Sequence, residues 1–359
     1  MTRLRCLLAV LALALATACS GGGTGPAQAD RSHAGHLSPA ARSPEAKPTT
    51  QAPRSPKATP TPADRSPAPS AGTATPGTGT PGTPHATTVA PQQAGFPDAR
   101  TTGPRIRLTP HSTGAMSVTR DGTVIKGWDI TGSLDIYAND VTVVDSRITS
   151  TNWWGINLRP GHTGLRVLHT TITAVPGKGP DNGGVDYAVS NMGNSSIEVG
   201  WSDISVFGNA LSMGQGYLHD NYVHDLVPFR NAGGEWQHTD AVISGGGNQG
   251  ELIVRHNTLL NPVPVDRGAS AAVGLFADTG PVSHAVIDGN LLAGGAYALY
   301  GGGEGATGIT VTNNVFSTRY HGNSGVYGAV TAWNAGGSGN VWRGNRFSDG
   351  TPITPEPAG

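Results

Sequence analysis

Acidic, basic and imidazole side chains are concentrated between positions 219 and 256 of the 359-residue chain. The group comprises His219, Asp220, His224, Asp225, Arg230, Glu235, His238, Asp240, Arg255 and His256. His238 and Asp240 stand two residues apart where the chain is predicted to enter a strand, and on an extended chain such side chains point to the same face. An imidazole and a carboxylate on one face suit acid/base catalysis or metal binding. We therefore predict His238, Asp240 and Arg230 as catalytic residues.

Six further residues are predicted to bind a substrate around this pair. They are Lys178, Asp186, His224, Glu235, Trp236 and Arg255. Trp236 lies in the loop just before the His–Asp pair, and the face of a Trp ring is a good stacking surface for a sugar. A structural alternative stays open, because the pair could cap a corner of the fold and hydrogen-bond to each other. His219, Arg255 and Asp288 could likewise form a ladder of charges on the surface.

A loose eight-residue phrase recurs nine times between Trp128 and Phe347, in the order apolar, any, apolar, any, any, Ser/Thr/Asn, any, apolar. The closing apolar residues are Ile130, Ile148, Ile172, Ile204, Val223, Leu259, Leu292, Phe316 and Phe347. Their spacing varies from 18 to 36 residues, and apolar and polar residues alternate with period two, so the repeats are predicted to be strands. Stacked repeats complete one another's core, and insertions fall in the loops between them.

A second short strand can be recognised ahead of several copies of the phrase. These strands begin at Ile156, Tyr187, Asn209, Asp240, Tyr297 and Gly328. Two positions before the closing apolar residue, the phrase carries Ser146, Thr170, Ser202, Asn221, Asn257, Asn290, Asn314 and Asn345. Asparagine tolerates the left-handed conformation of a tight bend, and its amide can hydrogen-bond to the amide stacked above it. We predict that these Asn residues form a structural ladder.

The Asn-x-apolar ladder, the Gly-rich corners and the segment from Thr123 to Ile136 resemble the pectate-lyase-like superfamily, and most of all its secreted β-helix repeat proteins. The resemblance covers about Pro104 to Ser348. With the repeats, it predicts an all-β chain that folds as a right-handed parallel β-helix solenoid of about nine coils. It implies little about the reaction, because the superfamily contains lyases, hydrolases, epimerases and catalytically silent adhesins.

His238-Thr-Asp-Ala-Val242 is similar to the Asn-Thr-Asp-Gly-apolar segment of polygalacturonase-type hydrolases, whose Asp is a catalytic acid. Here His replaces Asn and Ala replaces Gly. The next coil, Ala271–Phe276, is apolar and supplies no second pair of carboxyls. Because inverting hydrolysis uses two carboxyls roughly 6.5–9.5 Å apart, the missing partner weakens that mechanism.

Lyases of this kind use a base, often Arg or Lys, together with Ca²⁺ or another cation that neutralises a uronate carboxylate. The candidate bases are Arg230, Lys178 and His238. Asp186 and Asp240 are candidate Ca²⁺ ligands with Asn209 between them, although two coils span about 10 Å, which is wide for one ion. The sequence therefore predicts no definite metal site or cofactor and leaves Ca²⁺ open.

The first 18 residues have the pattern of a secretory signal, with Arg3 and Arg5 followed by an apolar run too short to cross a bilayer of about 30 Å. The run ends in Ala16-Thr-Ala-Cys19, which resembles a bacterial lipobox and makes Cys19 the predicted site of lipidation. The protein is then expected to be secreted and anchored by lipid to the outer face of the bacterial cell membrane. An ordinary signal cut after Ala18 is the alternative.

Residues 19–98 are rich in Pro, Thr, Ala, Ser and Gly and are predicted to form a disordered linker. The β-helix domain is predicted over residues 99–349, and residues 350–359 are predicted to be a disordered tail. A formal net charge of −1 argues against nucleic-acid binding. We expect a monomer that contacts the membrane only through its lipid anchor.

Two functions fit these features. The first is a surface-anchored enzyme that acts on an extracellular, acidic polysaccharide as a lyase or a glycoside hydrolase. The second is a non-catalytic β-helix that binds glycan or adheres to another surface through the same face. A purely structural spacer would leave the cluster of charged residues unexplained.

Overall fold

The computed structural model describes residues 93–192, 195–248 and 250–355, and within them the chain is almost entirely β-structure. The signal peptide, Cys19 and most of the predicted linker lie outside the described residues. The helix found in the described chain is a single 3₁₀ turn, Val265–Arg267. No helix in the described ranges is long and apolar enough to cross a membrane.

The strands are short, mostly two to six residues, as expected when each one turns a corner of a solenoid. In chain order the first thirteen are β1 (Thr109–Val118), β2 (Val124–Lys126), β3 (Trp128–Ile136), β4 (Thr142–Val144), β5 (Arg147–Ser150), β6 (Trp154–Leu158), β7 (Leu165–Leu168), β8 (Thr171–Ala174), β9 (Tyr187–Asn191), β10 (Ile197–Gly200), β11 (Asp203–Ser205), β12 (Asn209–Ser212) and β13 (Gly216–His219). The others are β14 (Tyr222–His224), β15 (Thr239–Ser244), β16 (Leu252–Arg255), β17 (Thr258–Asn261), β18 (Ala269–Leu275), β19 (Ser283–Asp288), β20 (Leu291–Gly294), β21 (Tyr297–Gly301), β22 (Thr307–Thr312), β23 (Val315–Phe316), β24 (Gly328–Thr331), β25 (Val341–Arg343) and β26 (Arg346–Phe347).

These strands pair in parallel along three ladders. The first ladder is the nine-stranded sheet β2-β4-β7-β10-β13-β16-β19-β22-β25. The second ladder is β5-β8-β11-β14-β17-β20-β23-β26, and the third ladder is β6-β9-β12-β15-β18-β21-β24. Strands β1 and β3 pair with each other, and β3 pairs with both β5 and β6, so it joins the second and third ladders. Consecutive strands of the chain thus belong to successive ladders, which is the arrangement of a parallel β-helix.

The core is the stack of apolar side chains that point between the three ladders. The closing residues of the repeated phrase from Ile130 to Phe316 are fully buried, as the sequence predicted, whereas Phe347 at the last turn is partly exposed. Fully burying one such side chain stabilises the fold by about 1.5–3 kcal/mol. The predicted all-β fold with parallel, stacked strands is therefore confirmed.

The predicted Asn ladder is also confirmed. The Nδ2 group of Asn221 donates to Oδ1 of Asn257 at 2.9 Å, and Asn257 donates in the same way to Asn290 at 3.0 Å. The left-handed residue, however, lies one position earlier than the prediction placed it. Asp220 and His256 have φ values of 53° and 52°, whereas the Asn residues themselves do not have positive φ. The preceding residue turns the corner, and this directs the Asn amide along the solenoid axis.

Residues 93–105, named here the N-terminal strap, run along the outside of the solenoid. His256 Nε2 donates to the Gly95 carbonyl at 2.9 Å, the Gly103 N–H donates to the Trp201 carbonyl at 2.8 Å, and Arg105 pairs with Asp145. The described chain therefore contacts the solenoid ahead of the predicted domain start at residue 99. At the other end, Ile353 is buried although it falls within the predicted tail.

Candidate functional site

The site predicted from the sequence lies on the third ladder, where two long loops enter neighbouring strands. Residues 175–186 connect β8 to β9, and residues 225–238 connect β14 to β15. Strand β12 lies between β9 and β15, and Asn209 is the register partner of both Tyr187 and Asp240. Both loops therefore bring their last residues, Asp186 and His238, to the same edge of one sheet.

Asn209 bridges the two acidic residues. Its Nδ2 group donates to Asp186 Oδ1 at 2.8 Å and to the His238 carbonyl at 3.2 Å. Its Oδ1 atom accepts from the Asp240 backbone N–H at 3.0 Å. The amide of Asn209 thus fixes the starts of β9 and β15 relative to each other, and with them the two carboxyl groups.

Asp240 is fully buried, with 0% of its surface exposed. Neither carboxyl oxygen makes a hydrogen bond within the described residues. Burial raises the pKa of Asp240 well above its usual value, and the charge of Asp186 adds to this, whereas the nearby Ala271 N–H and Ser270 hydroxyl only partly oppose it. The surroundings of Asp240 therefore favour the protonated carboxylic acid over the carboxylate.

The next strand of the ladder approaches Asp240 closely. Gly274 in β18 has no side chain, and a Cβ there would overlap the Phe276 ring and come within 3.1 Å of Asp240 Oδ1. The Phe276 ring in turn lies 5.0 Å from the ring of Tyr300, measured between centroids. Glycine in a strand often marks such a close approach. Sequence reasoning missed Gly274 and Phe276 because it treated Ala271–Phe276 only as an apolar coil, and the glycine was the available signal.

Asp186 is the more accessible of the two carboxyls, since it keeps part of its surface in solvent. Burial raises the pKa of Asp186 to about 6, against the hydrogen bond from Asn209 that favours the charged form. Burial also raises the pKa of the adjacent Tyr187, and the negative charge of Asp186 acts in the same direction. The fold therefore raises the pKa of both carboxyls, to about 6 for the partly exposed Asp186 and well above its usual value for the fully buried Asp240.

The loop of residues 225–238 holds the predicted residues Arg230, Trp236 and Glu235. The Arg230 guanidinium lies 4.4 Å from the centre of the Trp236 ring and donates to the Gly234 carbonyl at 3.1 Å. Arg230 is exposed, so this cation–π pair presents both side chains to solvent. Glu235 is exposed and contacts Asn231 within the same loop.

Phe229 holds this loop against the loop of residues 175–186. Its buried ring lies across Gly184 and Gly208, and a Cβ at either glycine would overlap the ring. Asn182 Nδ2 also donates to the Arg230 carbonyl at 3.1 Å and to the carbonyl of Asn231. The structure therefore brings the loops of Asp186 and Arg230 together. Lys178 is exposed in the first of these loops and has no resolved side-chain partner in the described chain.

His238 and Asp240 differ sharply in their surroundings. The His238 side chain is exposed and makes no hydrogen bond to other described residues, whereas Asp240 is fully buried. The pairing register shifts between Thr239 and Asp240, so the regular alternation assumed for an extended chain is interrupted there. The alternative in which the two side chains hydrogen-bond to each other is not seen.

His224 and Arg255 lie on other ladders. His224 is in the second ladder, where its ring nitrogens contact Asp203 at 3.0 Å and Asp225 at 2.7 Å. Burial opposes protonation of His224, but these carboxylates outweigh it and raise its pKa. Arg255 is in the first ladder and pairs with Asp288 at 3.3 Å.

His219, Arg255 and Asp288 do form one column of register partners, as the surface-ladder alternative predicted. His219 departs from that alternative because it is only 3% exposed. Its ring is stacked on Tyr217 at 4.2 Å and lies against Gly200, where a Cβ would come 2.5 Å from the ring.

The residues predicted as Ca²⁺ ligands do not fit a cation. Asn209 Oδ1 is engaged by the Asp240 N–H, and the Asp240 carboxyl is fully buried, which disfavours the charged form that a cation would bind. Within the described ranges, no group of three or more His, Cys, Asp or Glu side chains is arranged to hold a metal ion. No chemical step is therefore assigned to Ca²⁺ at these residues.

A comparison of the chain with protein-family models, with curated proteins and with solved structures found no match.

Proposed function

We propose that this protein is a carbohydrate-active enzyme that hydrolyses an extracellular polysaccharide on the outer face of its third ladder. The observation that carries the proposal is the pair of carboxyls, Asp186 and Asp240, bridged by Asn209 and set in different surroundings, one partly exposed and the other fully buried. Two carboxyls whose surroundings separate their pKa values are the usual source of acid/base assignments in glycosidases.

The two residues take complementary roles. Asp240, whose burial favours the protonated form, is the proton donor to the leaving oxygen, and Asp186, ionised above a pKa of about 6, activates the attacking water. β9, which Asp186 directly precedes, and β15, which contains Asp240, have backbones two strand spacings apart, about 9–10 Å. The proposal requires their side chains to bring the two carboxyls to the separation of roughly 6.5–9.5 Å used by inverting enzymes. The second carboxyl that sequence reasoning sought in the following coil is thus supplied two strands earlier. Because Asp240 is fully buried, the side chains around it must move before it can reach a substrate.

The remaining predicted residues would bind the sugar. Trp236, stacked on Arg230, offers a ring face, and the Arg230 and Lys178 cations suit an acidic glycan. His238, exposed beside the Asp186 edge, can hydrogen-bond to a hydroxyl or carboxylate of the substrate. A lyase mechanism with Arg230 as base is less favoured, because its guanidinium is engaged by Gly234 and Trp236.

A non-catalytic glycan-binding role is the second candidate. It is favoured by the complete burial of Asp240, since a group that never reaches a ligand cannot transfer a proton to it. In that case the aromatic and cationic side chains of the loops would bind glycan without changing it.

The pectate-lyase-like resemblance, the right-handed winding and the number of about nine coils belong to this proposal. So does the placement of the protein. Lipidation of Cys19 and a long linker would hold the solenoid away from the bacterial membrane, where it would meet extracellular polymer. Mass spectrometry of the mature N-terminus distinguishes an acylated Cys19 from a chain cut after Ala18.

The catalytic proposal is tested by incubating the protein with polygalacturonate, alginate and neutral β-glucans. New reducing ends without absorbance from an unsaturated product would support hydrolysis, whereas such absorbance would point to a lyase instead. Absence of both products with retained binding would leave the glycan-binding role. Asp240→Asn and Asp186→Asn should each abolish product formation while the melting temperature is kept or raised. Full activity in either variant would contradict the acid/base assignment.

A further inference from the structure

A cavity of about 700 Å³ lies at the carboxyl-terminal end of the third ladder, beside β24. The first and second ladders continue to β25 and β26, but the third ladder ends at β24. After β26 the chain turns back, since the Phe347 N–H donates to the Thr351 carbonyl and the Ile353 N–H to the Asn345 carbonyl. The cavity therefore occupies the place of one further strand, and its volume lies within the range of about 300–1,000 Å³ that is usual for small-molecule sites.

A row of aromatic rings connects this cavity to Asp240. Phe276 lies beside Tyr300, with the ring centroids 5.0 Å apart. Tyr300 contacts Tyr297 at 5.6 Å, and Tyr297 contacts Tyr327 at 5.9 Å. The row follows β18, β21 and the loop before β24, so it runs along the solenoid axis. Three strand spacings separate β15 from β24, which is about 14 Å.

Tyr327 gives the cavity a fixed aromatic wall. Its side chain is 64% exposed, yet its backbone N–H donates to the Ala296 carbonyl at 2.8 Å. The neighbouring Gly328 has no Cβ, and one placed there would lie 3.3 Å from the Tyr297 ring. The missing side chain allows the Tyr297 ring to remain at the mouth of the cavity. An exposed ring on an anchored backbone is a suitable stacking surface for a sugar.

The polar side chains of the cavity carry negative or no charge. Asn323, Thr331 and Thr354 supply neutral hydrogen-bonding groups, and Glu304 is the charged residue of the lining. A sugar carboxylate placed here would face Glu304 without a lining cation to neutralise it. An uncharged sugar can use the same carboxylate as a hydrogen-bond acceptor for its hydroxyl groups.

We infer that this cavity is a distal subsite for uncharged sugar units of the glycan whose other units lie at Asp186 and Asp240. The inference rests on the proposed function, since it extends the same binding face. It also narrows the substrate class to a glycan that is not uniformly acidic, because the Arg230 and Lys178 loops carry cations whereas the residues that line the cavity include none. The glycan then runs parallel to the solenoid axis.

The test measures the binding of two series of oligosaccharides, from dimer to octamer, to the full chain carrying Asp240→Asn. Neutral cello-oligosaccharides and oligogalacturonides are the probes, and calorimetry measures the affinity. Tyr327→Ala should weaken the longer neutral oligomers at least tenfold and leave the shortest unchanged, because only longer chains reach from the loops to the cavity. Tyr217→Ala removes an exposed tyrosine from the first ladder and serves as the control, with unchanged affinities expected.

The outcomes separate the two proposals. If Tyr327→Ala binds every length as tightly as its parent while the wild type still forms products, the subsite is overturned and the proposed function stands. If length-dependent loss is seen but the wild type forms no product, the subsite stands and catalysis fails. If no oligosaccharide of either series binds, the subsite is overturned. An extended peptide that protects the Gly328–Thr331 amides from hydrogen exchange, where glycans do not, overturns it in favour of strand addition at the open edge of β24.

Discussion

Two sets of buried polar side chains in the same solenoid differ in how completely their hydrogen bonds are satisfied. They are the Asn ladder and the carboxyls of the third ladder. In the Asn ladder, each amide both donates to and accepts from its neighbours, so that every buried polar atom of Asn257 has a partner. On the third ladder, Asp240 is buried equally well, but among the described residues neither carboxyl oxygen has a partner in good hydrogen-bonding geometry, although the Ala271 N–H and the Ser270 hydroxyl lie nearby. Stacking alone requires the first set, whereas nothing in the packing requires the second.

The difference separates stability from function. A satisfied buried network contributes to the fold, and an unsatisfied buried carboxyl costs free energy that only another role would justify. Such costs cluster at functional sites, where selection trades stability for activity. This distinction fails if substitutions in the Asn ladder and at Asp240 change the free energy of unfolding in the same direction.

The largest effect is expected from Asn257→Ala. It leaves the Asn221 N–H and the Leu218 carbonyl without partners in the core, and each unsatisfied group costs about 1–3 kcal/mol. The free energy of unfolding should fall by about 3–4 kcal/mol in urea or thermal melts. Asn323→Ala removes an exposed amide that has no side-chain hydrogen bond within the described residues, and it should change stability little. Equal effects of the two changes would contradict a stabilising ladder.

Asp240→Asn should act in the opposite direction. Because the pKa of Asp240 is raised in the fold, the folded state keeps a proton that the unfolded state releases above about pH 4, so stability falls as pH rises from there towards the folded pKa. The uncharged amide removes this loss. We expect the free energy of unfolding at pH 7 to rise and that at pH 4 to change little.

Paired melts at pH 4 and pH 7 measure this difference. Destabilisation by Asp240→Asn at both pH values would show that the carboxyl is satisfied in solution. Asp240 would then be a stabilising buried polar residue like those of the Asn ladder, and the two sets of residues would no longer differ.

Asp186→Asn sharpens the same comparison with a smaller change. The pKa of Asp186 is about 6 in the fold, so its effect on stability develops between about pH 4 and pH 6 and stays constant above that. Partial exposure screens it, and we expect a gain of about 1 kcal/mol at pH 7. The amide oxygen still accepts from Asn209. A gain that keeps growing from pH 6 to pH 8 would assign the titration to Asp240 instead.

The sequence predicted the stacking but not the chemistry of the site. Period-two alternation and the Asn column identified Ile148, Leu259 and the amide ladder, because each follows from local geometry repeated many times. Asp186 and Asp240 were recognised as candidates, yet their different burial depends on the close approach of Gly274 to Asp240, and that approach joins residues more than 30 positions apart. The sequence of one repeat does not show which side chains of neighbouring coils will pack against it.

The smallest effect is expected from substitution of Arg255. This residue tests how much an exposed pair of charges contributes to stability and to binding. It pairs with Asp288 at 3.3 Å, but about half of its side chain is exposed, and such surface pairs contribute about 0–1 kcal/mol. Arg255→Ala should therefore change the free energy of unfolding by less than about 0.5 kcal/mol and leave glycan affinity unaltered, since the first ladder is not part of the proposed face. Loss of binding by this variant, measured by the same calorimetry, would move the site from the third ladder to the first. The column of His219, Arg255 and Asp288 would then belong to the binding site. Burial would no longer separate functional residues from structural ones.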